Sequence, residues 1–111
     1  YPGTLTRLSL ADDGFAMMFE EGILNSDNRL VVFDRNGNVR YFEYIDGNVF
    51  DMALSHGFVY LILEGEILRV DTTFGIKLRA DFSEDNARIV TFENGEIMAC
   101  TDGMAYYITF D

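Results

Sequence analysis

Apolar residues in this chain gather in short runs of two kinds. Residues 67–71 (Ile-Leu-Arg-Val-Asp) mix apolar and polar positions, whereas residues 58–63 (Phe-Val-Tyr-Leu-Ile-Leu) are apolar throughout. The mixed run predicts a half-buried strand; the continuous run, bounded by turn residues, predicts a strand covered on both faces. Around these two the pattern spells a complete unit: a strand over 49–54, a Ser55-His56-Gly57 turn, the strand 58–63, a Glu64-Gly65-Glu66 turn, the strand 67–71, a link through Gly75 and a strand over 76–80. Four short strands joined by tight turns predict an antiparallel meander.

The flanking segments read as imperfect copies. Strands are expected at 5–10, 15–19, 29–34 and 39–44, with Asp12-Asp13-Gly14 and Asn36-Gly37 as turns and a longer connection over 20–28. The last copy offers strands at 88–92, 96–100 and 104–111, punctuated by Asn94-Gly95 and Asp102-Gly103, and lacks a fourth strand. The organisation expected is one all-β domain over 1–111 with repeats at approximately 4–44, 47–80 and 86–111.

Two sets of markers give the period. Gly14, Gly57 and Gly95, ahead of the second strands, stand 43 and 38 residues apart; Asp34, Asp71 and Asp111, closing the third strands, stand 37 and 40 apart. An aspartate leaving a strand can accept a hydrogen bond from the backbone two residues on and so start the next turn.

Four strands every forty residues is the spacing of β-propeller blades. At this point the chain resembles the PQQ-like (quinoprotein-type) and WD-type propeller repeats. The resemblance is carried by residues 29–41, through Val31, Val32, Phe33, Asp34 and Gly37, and by residues 66–78, through Val70, Asp71 and Gly75. It covers nearly the whole chain and implies antiparallel four-stranded meanders stacked as blades of a partial propeller. No tryptophan is present, and the Gly-His and Trp-Asp signatures of WD repeats are missing, so the resemblance implies architecture without a cofactor site. A single closed β-barrel or sandwich is the alternative, since strands at this spacing suit it equally.

Three blades do not close a ring. Either the chain is a fragment of a longer propeller, or two copies associate as halves of a six-bladed homodimer. Self-association is expected through blade faces or through the apolar edge running from Met104 to Phe110. The start at Tyr1, without an initiator methionine, points to a processed or excised chain.

Composition narrows the partners. Eight Lys and Arg against 19 Asp and Glu give a net charge of −11, which repels a phosphate backbone, so nucleic acid is excluded as a partner. The apolar runs are far too short for a membrane-spanning helix, and no basic leader precedes an apolar stretch, so the segment carries no insertion or targeting signal and its localisation stays open. Ten Phe and six Tyr exclude disorder. The lone Cys100 leaves no disulfide framework.

Candidate chemistry is sparse. Asp34-x-Asn36-x-Asn38 opens like a calcium loop, but Val39 stands where glycine is required and Ile45 where glutamate is, so a hairpin turn explains it better. Asp12-Asp13 and residues 25–28 are oxygen-rich turns. His56, the only histidine, is expected exposed and idle, because Ser55 beside it cannot supply triad geometry. Cys100 and the methionines at 17, 18, 52, 98 and 104 are expected to fill core. No catalytic, cofactor-binding or metal residue is assigned and no cofactor is implied. The function expected is a non-catalytic binding or scaffold segment for protein, peptide or glycan, displayed through loops. The alternative is part of a propeller enzyme, quinoprotein-like or a calcium-assisted hydrolase, with its catalytic residues on absent blades.

Overall fold

The computed structural model describes residues 3–21, 27–84 and 86–110. Every regular element in them is a β-strand, and the strands form three antiparallel sheets taken strictly in chain order. The first sheet holds β1 (Thr4–Ala11), β2 (Gly14–Glu21), β3 (Asp27–Asp34) and β4 (Val39–Ile45). The second holds β5 (Asp51–Ser55), β6 (Phe58–Leu63), β7 (Glu66–Asp71) and β8 (Lys77–Asp81). The third holds β9 (Arg88–Thr91), β10 (Ile97–Cys100) and β11 (Ala105–Tyr107). No closed barrel forms among these strands: the first and last belong to different sheets.

The sheets lie face to face with the second in the middle, and β6 shows why. Its Val59 and Leu61 enter one core cluster with Met18, Leu30 and Val32 of the first sheet. Ile62, one position on and therefore on the opposite face, enters a second cluster with Ile67, Phe82 and Ala99, against which Tyr106, Ile108 and Phe110 pack. Leu61 and Ile62 are both 0% exposed. The expectation that this strand is dry on both sides is met because a sheet covers each side.

Of the first strands, β5 adjoins both β1 and β9 without pairing to either. Side chains satisfy backbone donors and one backbone acceptor along that seam. Ser9 Oγ accepts from Leu54 N at 2.9 Å, and Asp51 Oδ2 accepts from Ile89 N at 2.7 Å. Arg7 Nε and Nη2 donate to Val49 O at 3.2 and 3.1 Å. A buried edge N–H left without an acceptor would cost about 1–3 kcal/mol, so these bridges let edge strands meet along a partly buried seam.

Two glycines are dictated locally. A Cβ at Gly14 would lie 2.1 Å from Phe33 O, because β2 and β3 come close there. Gly57, at φ 81°, follows His56 at φ 53°, and two consecutive left-handed residues make the tight turn whose twist suits a hairpin.

Several boundaries differ from expectation. The connection expected over 20–28 is shorter: β2 runs to Glu21 and β3 starts at Asp27, and residues 22–26 lie outside the described residues. Asn28 is buried inside β3, where its Nδ2 donates to Gly47 O at 2.6 Å, so it is no loop-tip oxygen ligand. The strand expected over 104–111 contracts to Ala105–Tyr107, and Ile108 and Phe110 instead pack on the second core.

The outer face of the first sheet has no layer over it among the described residues. Cross-strand pairing sets out its rows: Leu10 with Phe15, Phe33 and Val39; Leu8 with Met17, Val31 and Phe42; Leu5 with Phe19, Arg29 and Tyr44. Leu8 is 54% and Leu10 74% exposed. Phe15 and Phe33 stack at 4.8 Å, and Phe42 meets Tyr44 edge-on at 5.2 Å. On the third sheet the outward row is Val90, Met98 and Tyr107, beside Arg88, Cys100 and Ala105. Met17, Met98 and Cys100 are therefore half-buried on outer faces and Met104 is exposed, whereas only Met18 and Met52 fill core. Their place in or beside strands predicts core for all six; the face each occupies puts four of them outside it.

Candidate functional site

Because β1, β5 and β9 adjoin, the turns that leave them come together at one end of the seam. These are Asp12-Asp13 after β1, His56-Gly57 after β5, and the turn after β9, closed by Phe92 N donating to Glu96 O and Gly95 N to Phe92 O, each at 3.0 Å. Between them lies an open concavity of about 440 Å³. Leu10, Leu54 and Phe92 supply its apolar wall, and Asp12, Asp13, His56 and Glu93 its polar lining.

Several of the polar groups are already engaged. Arg40 Nη1 meets Asp13 Oδ2 at 3.3 Å, and Arg35 Nε donates to Asp12 O at 2.9 Å, which anchors the first turn against β4 and the β3–β4 turn. Ser55 Oγ lies 2.8 Å from His56 Nδ1. The contact joins two sequence neighbours and, among the described residues, brings no orienting carboxylate to the ring. Ser55 is also only 8% exposed, so the pair is no nucleophile and base. What the arrangement can do is hold a group that pairs an apolar stem with a positive or hydrogen-bonding head.

The closing aspartates act as turn starters. Asp34 Oδ1 accepts from Asn36 N and Asn38 N, each at 2.9 Å, and Asp71 Oδ1 accepts from Thr73 N at 2.8 Å and Phe74 N at 3.3 Å. The Asn38 amide, helped by the Asn36 amide, holds the Asp34 carboxyl below its usual pKa against the opposing effect of burial. Asp34 thus serves its own turn, as the hairpin reading expects. Asp111, the third of the set, lies outside the described residues. Among the described residues no group of three His, Cys, Asp or Glu side chains is arranged to hold a metal ion.

Two further polar clusters tie the layers together. Tyr41 donates its hydroxyl to Glu43, whose other oxygen meets Lys77 Nζ of the second sheet at 2.6 Å. Burial, and then the bond to Glu43, push the Tyr41 phenol well above its usual pKa. Arg69 lies over the rings of Phe58 and Phe110 at 4.7 and 5.2 Å, tying β7 to the end of the third meander. Burial raises the neighbouring Tyr60 phenol, and the arginine partly offsets this.

No family model, curated protein or solved structure matches this chain. The sequence does not single out the concavity, because Asp12-Asp13 and His56 stand in it as separate turns. A signal was present: Gly14, Gly57 and Gly95 mark equivalent positions, and the residues just before them are the ones that meet. Leu10 and Phe92, further back along the chain, had no such flag.

Proposed function

We propose that this chain is a segment of a β-propeller, its three meanders serving as blades, and that it works as a non-catalytic binding or scaffold module. The observation that carries this reading is the convergence of three equivalent turns, one from each meander, on a single concavity at one end of the adjoining first strands. A site assembled from turns on a rigid stack of sheets suits display and recognition. The ligand classes that fit are protein, peptide and glycan. The lining favours a peptide with a Lys or Arg side chain, whose stem would lie on Leu10 and Phe92 with its head toward Asp12 and Glu93. The chain's overall negative field draws such a ligand in.

The test uses peptide and glycan arrays probed with the wild type and with Phe92→Ala, chosen because Phe92 is exposed and its removal spares the fold. Basic peptides should be retained by the wild type and lost by the variant. Calorimetric titration with calcium and with pyrroloquinoline quinone checks the enzyme alternative: binding tighter than micromolar to either would overturn the non-catalytic reading.

A further inference from the structure

We infer that the cavity between the second sheet and the end of the third meander binds a small aliphatic amino acid, with its carboxylate on Arg69 and Tyr60 and its ammonium toward Glu96. The inference uses none of the residues that line the turn concavity and does not depend on the propeller reading.

The cavity exists because a ladder stops. β10 and β11 pair from Cys100 with Ala105 to Met98 with Tyr107 and no further. Beyond Tyr107 the chain leaves its neighbour, and Ile108 and Phe110 pack on the second core instead. The opening that remains has a volume of about 270 Å³. Glu96 and Ile97 at the start of β10, residues 107–110, and Tyr60 and Arg69 of the second sheet line it. Tyr60 and Arg69 are cross-strand partners on β6 and β7, two positions from Ile62 and Ile67 and so on the same face, the one turned toward the third meander.

Arg69 is the group that lacks a counter-ion. In a chain with 19 carboxylate residues, Arg40, Lys77, Arg79 and Arg88 each meet a carboxylate. Among the described residues no carboxylate lies within salt-bridge distance of Arg69. Its half-buried guanidinium lies over Phe58 and Phe110, with the Tyr60 hydroxyl beside it. Ring contacts hold a guanidinium in place without supplying the oxygen acceptors that its five N–H donors take. A carboxylate in the cavity would receive the guanidinium fork and the O–H of Tyr60. The aromatic surroundings exclude water and strengthen that charge-assisted pair.

Glu96 fixes the rest of the ligand. It lines the same cavity without forming an ion pair with Arg69, so two opposite charges stand apart around one space. A simple carboxylate would meet Glu96 unscreened and would enter against a net charge of −11. A zwitterion carries its carboxylate in without net charge and offers Glu96 an ammonium. Ile97 and Ile108 supply the apolar wall for a side chain. At about 30 Å³ for each water-sized group, the cavity holds about nine non-hydrogen atoms, the size of leucine.

The test is an amide NMR titration of residues 1–111 with leucine, with 4-methylpentanoate, which lacks the ammonium, and with 3-methylbutylamine, which lacks the carboxylate. Leucine should shift the amides of residues 95–97 and 107–110 saturably, with half-saturation at about 1 mM or below, and both analogues should bind at least about fivefold more weakly. Arg69→Gln should weaken leucine binding about tenfold or more, and Arg69→Lys, which keeps the charge and loses the fork, by less. Glu96→Gln, at an exposed position that spares the fold, should reduce the preference for leucine over 4-methylpentanoate to about twofold or less. No saturable shift at about 20 mM leucine, shifts confined to other residues, or 3-methylbutylamine binding as tightly as leucine would each overturn the inference. So would leucine binding unchanged by Arg69→Gln, or a preference unchanged by Glu96→Gln; the second decides alone if Arg69→Gln loses the dispersed spectrum of a folded chain. Basic-peptide binding retained without leucine binding would overturn this inference and leave the binding reading intact.

Discussion

Leu61 and Ile62 are adjacent in β6, fully buried, and point into different cores, so truncating each in turn weighs the two layers separately. Either change to alanine removes three carbon groups. At about 0.8 kcal/mol per buried methylene the transfer loss is about 2.4 kcal/mol. The cavity left in a core packed from both sides raises this to about 3–4 kcal/mol. Against a total stability of about 5–15 kcal/mol, each change is a large fraction, and the two should be similar. Ile76→Ala, at an exposed position, should stay within about 0.5 kcal/mol. Urea unfolding followed by circular dichroism, at a protein concentration low enough to keep the chain monomeric, measures all three. If Leu61→Ala cost its full share while Ile62→Ala cost less than about 1 kcal/mol, the third sheet would not be covering the second, and the three-layer reasoning would fail.

The seam between β5 and β9 depends on a single carboxylate, so Asp51→Ala should lower stability by about 2 kcal/mol by urea titration, a charge-assisted bond to a backbone amide being stronger than a neutral one. Gly14→Ala should cost about 2–4 kcal/mol, since its Cβ meets a backbone oxygen that cannot move without opening β2 from β3. Gly65→Ala, with no atom within 4 Å but φ at 80°, should cost only about 1 kcal/mol, and melting curves of the two rank them. The backbone donors that lower the Asp34 pKa stabilise the fold above the carboxylate's ordinary value of about 3.9 and stop doing so as pH falls through the lowered value. The melting-point deficit of Asp34→Ala should accordingly be present at pH 7 and shrink toward zero as pH falls through the lowered value.

Residues 58–63 were legible from end to end because a six-residue apolar run between glycine turns is too short for a helix and reads as a strand covered on both sides, and β6 has those bounds. The turn chemistry of Asp34 and Asp71 was legible for a local reason: a side chain that bonds to its own backbone two residues on needs no tertiary context. Local patterns failed where distant groups decide. Asn28 reads as a loop residue until Gly47 O accepts its amide, which supports β3 beyond its expected start. The irregularity between Leu5 and Arg7 shows in the pattern only as a three-residue step from Leu5 to Leu8, against two from Leu8 to Leu10 on the same face. Residues 104–110 look like one long strand, yet the pairing stops at Tyr107, and Ile108 and Phe110 serve a core without a ladder. The concavity was the least legible feature, because nothing along the chain states which turns share an end until β1, β5 and β9 adjoin.

The face-to-face stacking of three separate meanders is tested most directly by methyl-resolved nuclear Overhauser contacts in solution. Leu61 methyls should reach the side chains of β2 and β3, Ile62 methyls those of the third sheet, and neither should reach both. Backbone contacts pairing β1 with β11 of the same chain, as a closed barrel would require, would contradict the account.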